Sequence, residues 1–211
     1  MSDFTGLELT GKVAKVIEAS GTKAIVCQAD VSKLNEIPKL VEVALKVSTS
    51  RKIKILIHRA RIIFTPTNAC PIIHFDANVK GSVFLIKAIV PRLRKGGRIV
   101  FISPAGARLS VAGYTVYTAT KAANELVACV SAKELGHPHS ATASSVNPHE
   151  QFLKNMQLYH RPPSEPLIDS TLAAPRVREV DGIAPLVSFL CTDNVRWAPG
   201  STLSANGGLY N

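Results

Sequence analysis

The stretch over residues 113–136, GYTVYTATKAANELVACVSAKELG, constrains the fold of this chain more than any other. From Leu126 onward its apolar residues recur at helical spacing, and Gly136 is a typical helix end, so the stretch predicts one long helix. Tyr117 and Lys121 are four residues apart, which places them on one face of that helix, one turn from each other. The predicted helix therefore brings a phenol and an amine together.

Tyr117 and Lys121 form a pair that acid–base chemistry can use. A phenol ordinarily titrates well above neutral pH, but a nearby ammonium favours the phenolate and lowers its pKa. We therefore expect Lys121 to lower the pKa of Tyr117, so that the pair passes a proton to or from a carbonyl or alcohol oxygen. The alternative, from spacing alone, is a core tyrosine beside a lysine whose stem lies along apolar surface.

The composition predicts one globular domain over residues 1–211, because 46% of the residues are hydrophobic. The longest apolar runs, VFLI and IKILI, fall far short of the ~18 residues of a membrane helix. The N-terminal sequence is too polar for a signal peptide. The four cysteines are scattered, without a CxxC pair or histidines at metal spacing, so neither a disulfide framework nor a metal site is predicted. We expect a cytoplasmic protein.

The net charge of +10 is the one unusual feature of the composition. The densest basic groups lie at residues 51–54, 58–61 and 92–95, without aromatic residues between them or a nucleic-acid-binding motif. This pattern favours a solvated basic face over a surface for nucleic acid. The positive potential also suits a nucleotide cofactor with an additional phosphate.

Short apolar runs that predict strands alternate with stretches of helical periodicity. The predicted strands lie at residues 9–14, 24–28, 52–57, 96–103 and 139–147, with a short one before Asn206. The predicted helices lie at residues 33–48, 76–93 and 113–136, with a last one after residue 181. The connection over residues 61–76 is predicted to be a loop.

Three motifs in order carry a resemblance to a known family: Asn78 on a helix, a strand that ends at Ser103, and Tyr117-x-x-x-Lys121. They resemble the short-chain dehydrogenase/reductase family, and within it the NADPH-dependent aldehyde reductases and tetrahydroxynaphthalene-reductase-like enzymes. Residues 181–208 match the family's last helix and its Trp-x-x-Gly to Gly-Gly ending. The resemblance implies an α/β fold with a three-layer, Rossmann-like, doubly wound parallel sheet, incomplete at its N-terminal side. It also implies an oxidoreductase that uses NADP or NAD.

The resemblance also implies a role for each catalytic residue. Tyr117 would handle the proton, and Lys121 would assist it and orient the cofactor's ribose. Asn78 would hold a water that links the lysine to solvent. For the serine that polarises the carbonyl, fourteen residues before Tyr117 is Ser103 and thirteen is Pro104, and both offsets occur in the family. Proline has no hydroxyl, so we assign the role to Ser103.

Asp30 and Val31 follow the predicted strand at residues 24–28. The resemblance implies that Asp30 accepts a hydrogen bond from the cofactor's adenine and that the Val31 amide contacts the adenine ring. The alternative is that Asp30 caps the helix that follows.

Two departures from the family pattern bear on cofactor binding. Residues 58–61, His-Arg-Ala-Arg, stand where the family usually has Asn-Asn-Ala-Gly, so that Arg61 adds a long cation where close approach is needed. Either that loop is displaced or no ligand lies against it, and His58 is more typical of a structural residue. The opening strand at residues 9–14 is not followed by the glycine-rich phosphate turn, and no G-x-G-x-x-G occurs elsewhere.

These observations leave several functions open. The first is an NAD(P)-dependent oxidoreductase of a small carbonyl or alcohol substrate, with residues 151–180 as a substrate lid; simple disorder is the rival reading of that segment. The second is a non-catalytic protein that self-associates through its two long helices or binds another protein. The third is a basic nucleic-acid-binding protein.

Overall fold

A computed structural model describes residues 24–62, 70–103, 114–148, 171–173 and 182–208. Its helices are α1 (Ile37–Val47), α2 (Pro71–Phe75), α3 (Gly81–Ile89), α4 (Thr115–His139) and α5 (Ala184–Leu190). Its strands are β1 (Ile53–His58), β2 (Leu93–Ile102), β3 (Thr142–Pro148) and β4 (Thr202–Ala205). A π-helical turn, Asp76–Lys80, joins α2 to α3. The strand predicted at residues 9–14 lies outside the described residues, as does the predicted lid apart from residues 171–173.

The four strands form one sheet in the order β1-β2-β3-β4, and each neighbouring pair is parallel. Leu56 of β1 is in register with Ile99 of β2, which is in register with Ala143 of β3. Parallel neighbours require a crossover, which α2 and α3 supply between β1 and β2, and α4 between β2 and β3. The predicted α/β fold with a parallel sheet is confirmed.

Both faces of the sheet are covered by helices. On one face, Ile99 and Phe101 of β2 pack with buried residues of α1, α3 and α4. On the other face, Val100 packs with Val146 of β3 and Leu190 of α5. Successive side chains of a strand point to opposite faces, so a run of apolar residues in β2 serves both clusters. The sheet is therefore the middle of three layers.

The α1 helix shows how the apolar pattern builds one of these layers. Its buried residues Ile37, Val41 and Leu45 are four apart and face the sheet. Pro38 lies in the first turn, where its missing N–H has no helical partner to lose. The helix forms within the predicted range of residues 33–48.

The strand predicted at residues 24–28 is wrong. These residues have no regular structure, and Ile25 and Val26 are 57% and 41% exposed. An apolar run becomes a strand only when a neighbour completes its hydrogen bonds, and in the described part of the chain β1 pairs only with β2.

The boundaries of three other elements differ from the prediction. Part of the expected loop at residues 61–76 is α2, which begins at Pro71. The helix expected over residues 76–93 ends in a 3-10 turn at Pro91, because proline cannot continue the α-helical ladder, and β2 begins at Leu93. The α4 helix runs past Gly136 to His139. Its end is set by Ser140, whose backbone has the left-handed φ of 49°.

The buried Arg98 links β2 to the C-terminal part of the chain by hydrogen bonds. The β1–β2 register shifts between Ile53 and Ile55, where β2 carries a bulge with Gly96 at φ 75°. Arg98, 1% exposed, donates from Nη1 to the carbonyl oxygens of Gly96 and Gly97 at 2.7 and 3.0 Å. Its other donors reach the Thr192 carbonyl at 2.9 Å and Asp193 Oδ1 at 3.0 Å. Every nitrogen of this guanidinium therefore has a partner.

Candidate active site

Three residues predicted to react, Ser103, Tyr117 and Lys121, lie at the carboxyl ends of the strands together with His58 and Asn147. His58 is the last residue of β1, Ser103 directly follows β2, and Asn147 lies at the end of β3. Tyr117 and Lys121 lie in the first two turns of α4, which begins beyond the end of β2. Each of these five residues is at most 3% exposed. In open parallel sheets, ligands bind at this edge.

Tyr117 and Lys121 lie together on α4, as the spacing predicts. The Lys121 Nζ atom is 5.7 Å from the centroid of the Tyr117 ring. At this distance the ring's electron density attracts the ammonium form of the lysine. The phenol and the amine therefore form one buried unit, although their catalytic role remains a prediction.

The direction of the Tyr117 pKa shift is opposite to the one predicted. Burial raises the pKa of Tyr117 above its ordinary value of 10.0, and this effect outweighs the opposing charges of Arg61 and Arg59. Burial, with a smaller contribution from Arg61, lowers the pKa of Lys121 from 10.5 to about 7. The prediction failed because spacing places a cation near the phenol but does not show how little water reaches either group.

Asn78 connects the turn after β1 to α4. Its Oδ1 accepts from the Ile62 amide at 2.7 Å, and its Nδ2 donates to the Ile62 carbonyl at 3.1 Å. The same Nδ2 donates to Thr120 Oγ1 at 3.1 Å, one residue before Lys121. The Asn78 carbonyl accepts from Ser82 Oγ and Asn124 Nδ2. Asn78 thus holds the turn after β1 against α4. Its role in holding a water remains a prediction.

Ser103 lies next to the reactive helix, where the prediction needs a hydroxyl. Its amide donates to the Val146 carbonyl at 2.9 Å, which aligns it with the end of β3. Its Oγ donates to the Lys121 carbonyl at 3.2 Å. The hydroxyl must turn from that carbonyl before it can donate to a substrate, because a serine has a single O–H. The competing position, Pro104, lies outside the described residues.

Arg61 belongs to the site, which the sequence analysis did not foresee. The charge of its guanidinium acts on both Tyr117 and Lys121. Its Nη1 atom is buried and has no hydrogen-bond partner. The unusual His-Arg-Ala-Arg turn was the available signal, but the direction of the Arg61 side chain depends on how β1 meets α4.

His58 has the structural surroundings that the sequence favours. Its ring packs against Phe101 with centroids 5.2 Å apart. Burial and, to a lesser degree, the charge of Lys121 lower the pKa of His58 to about 4, so that the imidazole is neutral at neutral pH. Its Nε2 atom is buried without a hydrogen-bond partner.

Asp30 and Val31 make contacts that shape their own loop. Asp30 Oδ1 accepts from the amide and the hydroxyl of Ser32, at 3.0 and 2.7 Å, and these bonds lower the pKa of Asp30. The Asp30 amide donates to Glu36, the residue before α1, at 2.8 Å. Asp30 thus stabilises the turn before α1 and does not cap the helix, because the N-cap residue is Glu36 and has no side-chain capping bond. The contact of Asp30 with the adenine remains a prediction. The Val31 carbonyl lies against Gly81, where an added Cβ would fall 2.7 Å from its oxygen.

The chemistry of the described residues fits the nicotinamide end of a dinucleotide. Arg61 Nη1 and Asn147 Oδ1 are among the buried polar atoms at this edge that have no hydrogen-bond partner. With Tyr117 and Lys121 they offer donors and an acceptor that suit the hydroxyls of a ribose and the amide of a nicotinamide. Residues 1–23 lie outside the described part, so this fit concerns one end of the cofactor.

The described part of the chain offers neither a membrane-spanning helix nor a metal site. It contains no helix with the length and apolar character needed to cross a membrane. It also contains no cluster of three histidine, cysteine or acidic side chains that would hold a metal ion.

Several proteins of known sequence are similar to this chain. Residues 2–210 match a protein family described as enoyl-(acyl carrier protein) reductase. The short-chain dehydrogenase/reductase FrzI of Cladobotryum sp is 33% identical over 212 residues, which cover 93% of this chain and 80% of FrzI. A chloroplastic NADPH-dependent aldehyde reductase-like protein of Arabidopsis thaliana is 30% identical over 211 residues, covering 93% of this chain and 75% of that protein.

Solved structures agree with this relationship. A short-chain dehydrogenase from Burkholderia cenocepacia, in complex with NADP, superposes with a TM-score of 0.84 at 25% identity, covering 97% of this chain and 84% of that one. A blue fluorescent protein from a metagenomic library, in complex with NADPH, gives 0.84 at 25% identity, covering 100% and 86%. The family match, the sequence relatives and these structures place the protein as predicted: it belongs to the short-chain dehydrogenase/reductase family of oxidoreductases.

Proposed function

We propose that this protein is an NAD(P)-dependent oxidoreductase that acts on a small carbonyl or alcohol substrate. The observation that carries the proposal is the buried Tyr117–Lys121 pair at the carboxyl edge of the sheet, with Ser103 beside it. The relatives support it, because one is named an NADPH-dependent aldehyde reductase-like protein and a structural neighbour was solved with NADP. For the site residues themselves, the support comes from the geometry.

A bound nicotinamide cofactor supplies the hydride, and the protein supplies position and protons. Because burial raises its pKa, Tyr117 keeps its proton at neutral pH and acts as a general acid. A protonated phenol favours reduction of a carbonyl, since the oxygen gains a proton in that direction. Lys121, whose pKa is about 7, is only partly charged at neutral pH and holds the cofactor's ribose by hydrogen bonds.

Ser103 and Asn78 have different parts in this proposal. Ser103 polarises the substrate carbonyl once its hydroxyl has turned from the Lys121 carbonyl. Asn78 is a positioning residue, because its side chain joins Ile62 to Thr120 and so holds the turn after β1 against α4. Asp30 and Val31 are assigned to the adenine end of the cofactor by resemblance alone.

Turnover by the full chain tests this proposal. With NADPH or NADH and a panel of small aldehydes and ketones, we expect cofactor oxidation that requires both substrate and protein. Tyr117→Phe removes the proton donor and should lower kcat by ~10²–10⁴. The matched control is Tyr114→Phe, one turn earlier, which should change kcat by only a few-fold. Equal kcat in the wild type and Tyr117→Phe would show that another group donates the proton.

A non-catalytic role in self-association is the second candidate, and exposed apolar side chains on α3 and α4 favour it. Val83, Leu126 and Val130 are 41%, 67% and 53% exposed and line a groove between the two helices. Contiguous apolar surface of this kind marks protein–protein contacts. A dimer detected by light scattering, together with no turnover for any cofactor and substrate, would favour this candidate over the first.

A further inference from the structure

The turn after β1 holds a positive charge beside the buried phenol of α4. Both backbone groups of Ile62 are bound by the Asn78 side chain, which is itself 0% exposed. Arg61 directly precedes this anchored residue, and its guanidinium reaches Tyr117. Because Asn78 also bonds to Thr120 of α4, the distance between the turn and the helix is fixed from both sides. The position of Arg61 is therefore built into the fold.

Several positive groups lie close together at this point. The charge of Arg61 acts on Lys121, and that of Lys121 acts on His58. The ion pairs of the described residues lie elsewhere: Lys33 with Asp30 and Glu36, Lys80 with Asp76, and Arg98 with Asp193. The acidic residue described in this region is Glu125, one turn after Lys121 on α4, and its Oε1 accepts from Asn147 Nδ2 at 2.9 Å. The site thus has an excess of positive charge in a region that water hardly reaches.

Arg61 cannot reduce the repulsion between these positive charges by losing its proton, because a guanidinium stays charged at all ordinary pH values. Its Nη1 atom is buried without a partner, and a buried donor that lacks an acceptor destabilises the structure. Lys121, in contrast, does respond by a lowered pKa. What Arg61 lacks is an acceptor with negative charge, and the planar fork of a guanidinium matches a carboxylate or a phosphate.

We propose that Arg61, with Lys121 and the Tyr117 hydroxyl, forms a binding site for an oxyanion: a carboxylate or phosphate group on a small ligand. Arg61 provides the charged fork, Lys121 a second cation, and Tyr117 a neutral O–H donor. The oxyanion lies at the carboxyl edge of the sheet, next to the end of β1. The oxyanion shares Tyr117 and Lys121 with the oxidoreductase function proposed above, but its binding requires neither hydride transfer nor a bound nicotinamide.

Thermal unfolding of the full chain tests the site with simple anions. Inorganic phosphate and acetate are each added at constant ionic strength, with chloride as the balancing anion. At least one of them should raise the Tm up to a saturating value. The anion that saturates at the lower concentration shows whether the site prefers a phosphate or a carboxylate. Arg61→Gln should weaken that binding on the order of tenfold or more, since a charged hydrogen bond is lost. Arg92→Gln, at an exposed arginine, is the matched control and should leave the binding unchanged.

Two results would overturn the proposal: no saturable rise in Tm with either anion, or an equal rise in the wild type and Arg61→Gln. If Arg61→Gln does not fold, NMR of the wild-type Lys121 side chain decides, because a bound oxyanion favours the ammonium and must raise the pKa of Lys121. An unchanged pKa at saturating anion then overturns the proposal. Binding of phosphate without binding of NADPH or NADH would support this site and contradict the oxidoreductase function. Binding of NADPH or NADH without binding of either anion would support the oxidoreductase function and contradict this site.

Discussion

Arg98 and Arg61 lie at opposite edges of the same sheet and differ in how their hydrogen-bonding capacity is used. Arg98, which lies in the middle of β2 opposite the first residue of β3, donates to three carbonyl oxygens and one carboxylate. Arg61, beyond the end of β1, has a buried nitrogen without a partner and lies beside Tyr117 and Lys121. A fully satisfied buried arginine stabilises the fold, whereas an unsatisfied one marks a place that a ligand can complete.

The difference follows the layout of a parallel sheet. On the side of the amino edge, every nitrogen of the Arg98 guanidinium has a partner. Its carboxyl edge gathers the ends of several strands and the first turn of α4. Three of the buried polar atoms that have no partner in the described residues lie there: His58 Nε2, Arg61 Nη1 and Asn147 Oδ1. The perturbed pKa values of Tyr117 and Lys121 occur at this edge as well.

The largest expected effect is a change of stability with pH that is caused by Lys121. It tests whether burial of charge at the carboxyl edge destabilises the folded protein. The pKa of Lys121 is about 7 when folded and 10.5 ordinarily, so between these values the unfolded chain binds a proton that the native protein has released. The free energy of unfolding should therefore rise with pH from about 7 to about 10.5. The causes are burial and, to a smaller degree, the charge of Arg61. Urea denaturation across this pH range measures the effect.

Two variants identify the source of this pH dependence. Lys121→Met should remove most of the rise, while Arg61→Gln should shift its lower end to higher pH, because Arg61 contributes to lowering the pKa of Lys121. A rise of the same size in Lys121→Met would mean that another group titrates in this window.

At the amino edge, Arg98→Met should destabilise the protein by about 3 kcal/mol, because the carbonyl oxygens of Gly96, Gly97 and Thr192 lose their donors. Asp193→Asn is the matched control. Its side chain is 79% exposed, so the ion pair with Arg98 is screened by water and its loss should cost less than about 1 kcal/mol. Equal losses of stability in the two variants would contradict the view that the carbonyl contacts hold this edge.

A smaller effect is expected at two glycines. Gly81→Ala places a Cβ 2.7 Å from the Val31 carbonyl oxygen, so the loop before α1 must move, at a cost of about 1–3 kcal/mol. Gly136→Ala, inside α4 with nothing within 4 Å of the added Cβ, should instead stabilise the protein by roughly 0.5–1 kcal/mol. Chemical denaturation distinguishes the signs, and destabilisation by both would indicate that the contact with Val31 is not the cause.

The sequence predicted what depends on local spacing and on family motifs. The α4 helix, the Tyr117–Lys121 pair, the strand before Ser103 and the helical segment around Asn78 all follow from periodicity and order along the chain. The strand expected at residues 24–28 failed because strand formation depends on a distant partner.

The site predictions failed where long-range packing decides. The raised pKa of Tyr117 reflects burial by segments far apart in sequence. The contact of Arg61 with Tyr117 also requires β1 and α4 to be brought together, which Asn78 does across 42 positions through its bond to Thr120. For the same reason, the four hydrogen bonds of Arg98 were not predictable, since two of them join it to Thr192 and Asp193.

Binding of the nicotinamide cofactor tests the central claim most directly. Thermal and chemical unfolding of the full chain, with increasing NADPH and with increasing NADH, should show saturable stabilisation by at least one of them, reaching ~2.7 kcal/mol at a hundred times its Kd. Tyr117→Phe should retain most of that stabilisation, because it removes one hydroxyl and leaves Lys121 in place. The absence of any stabilisation by millimolar NADPH or NADH would contradict the proposed oxidoreductase function.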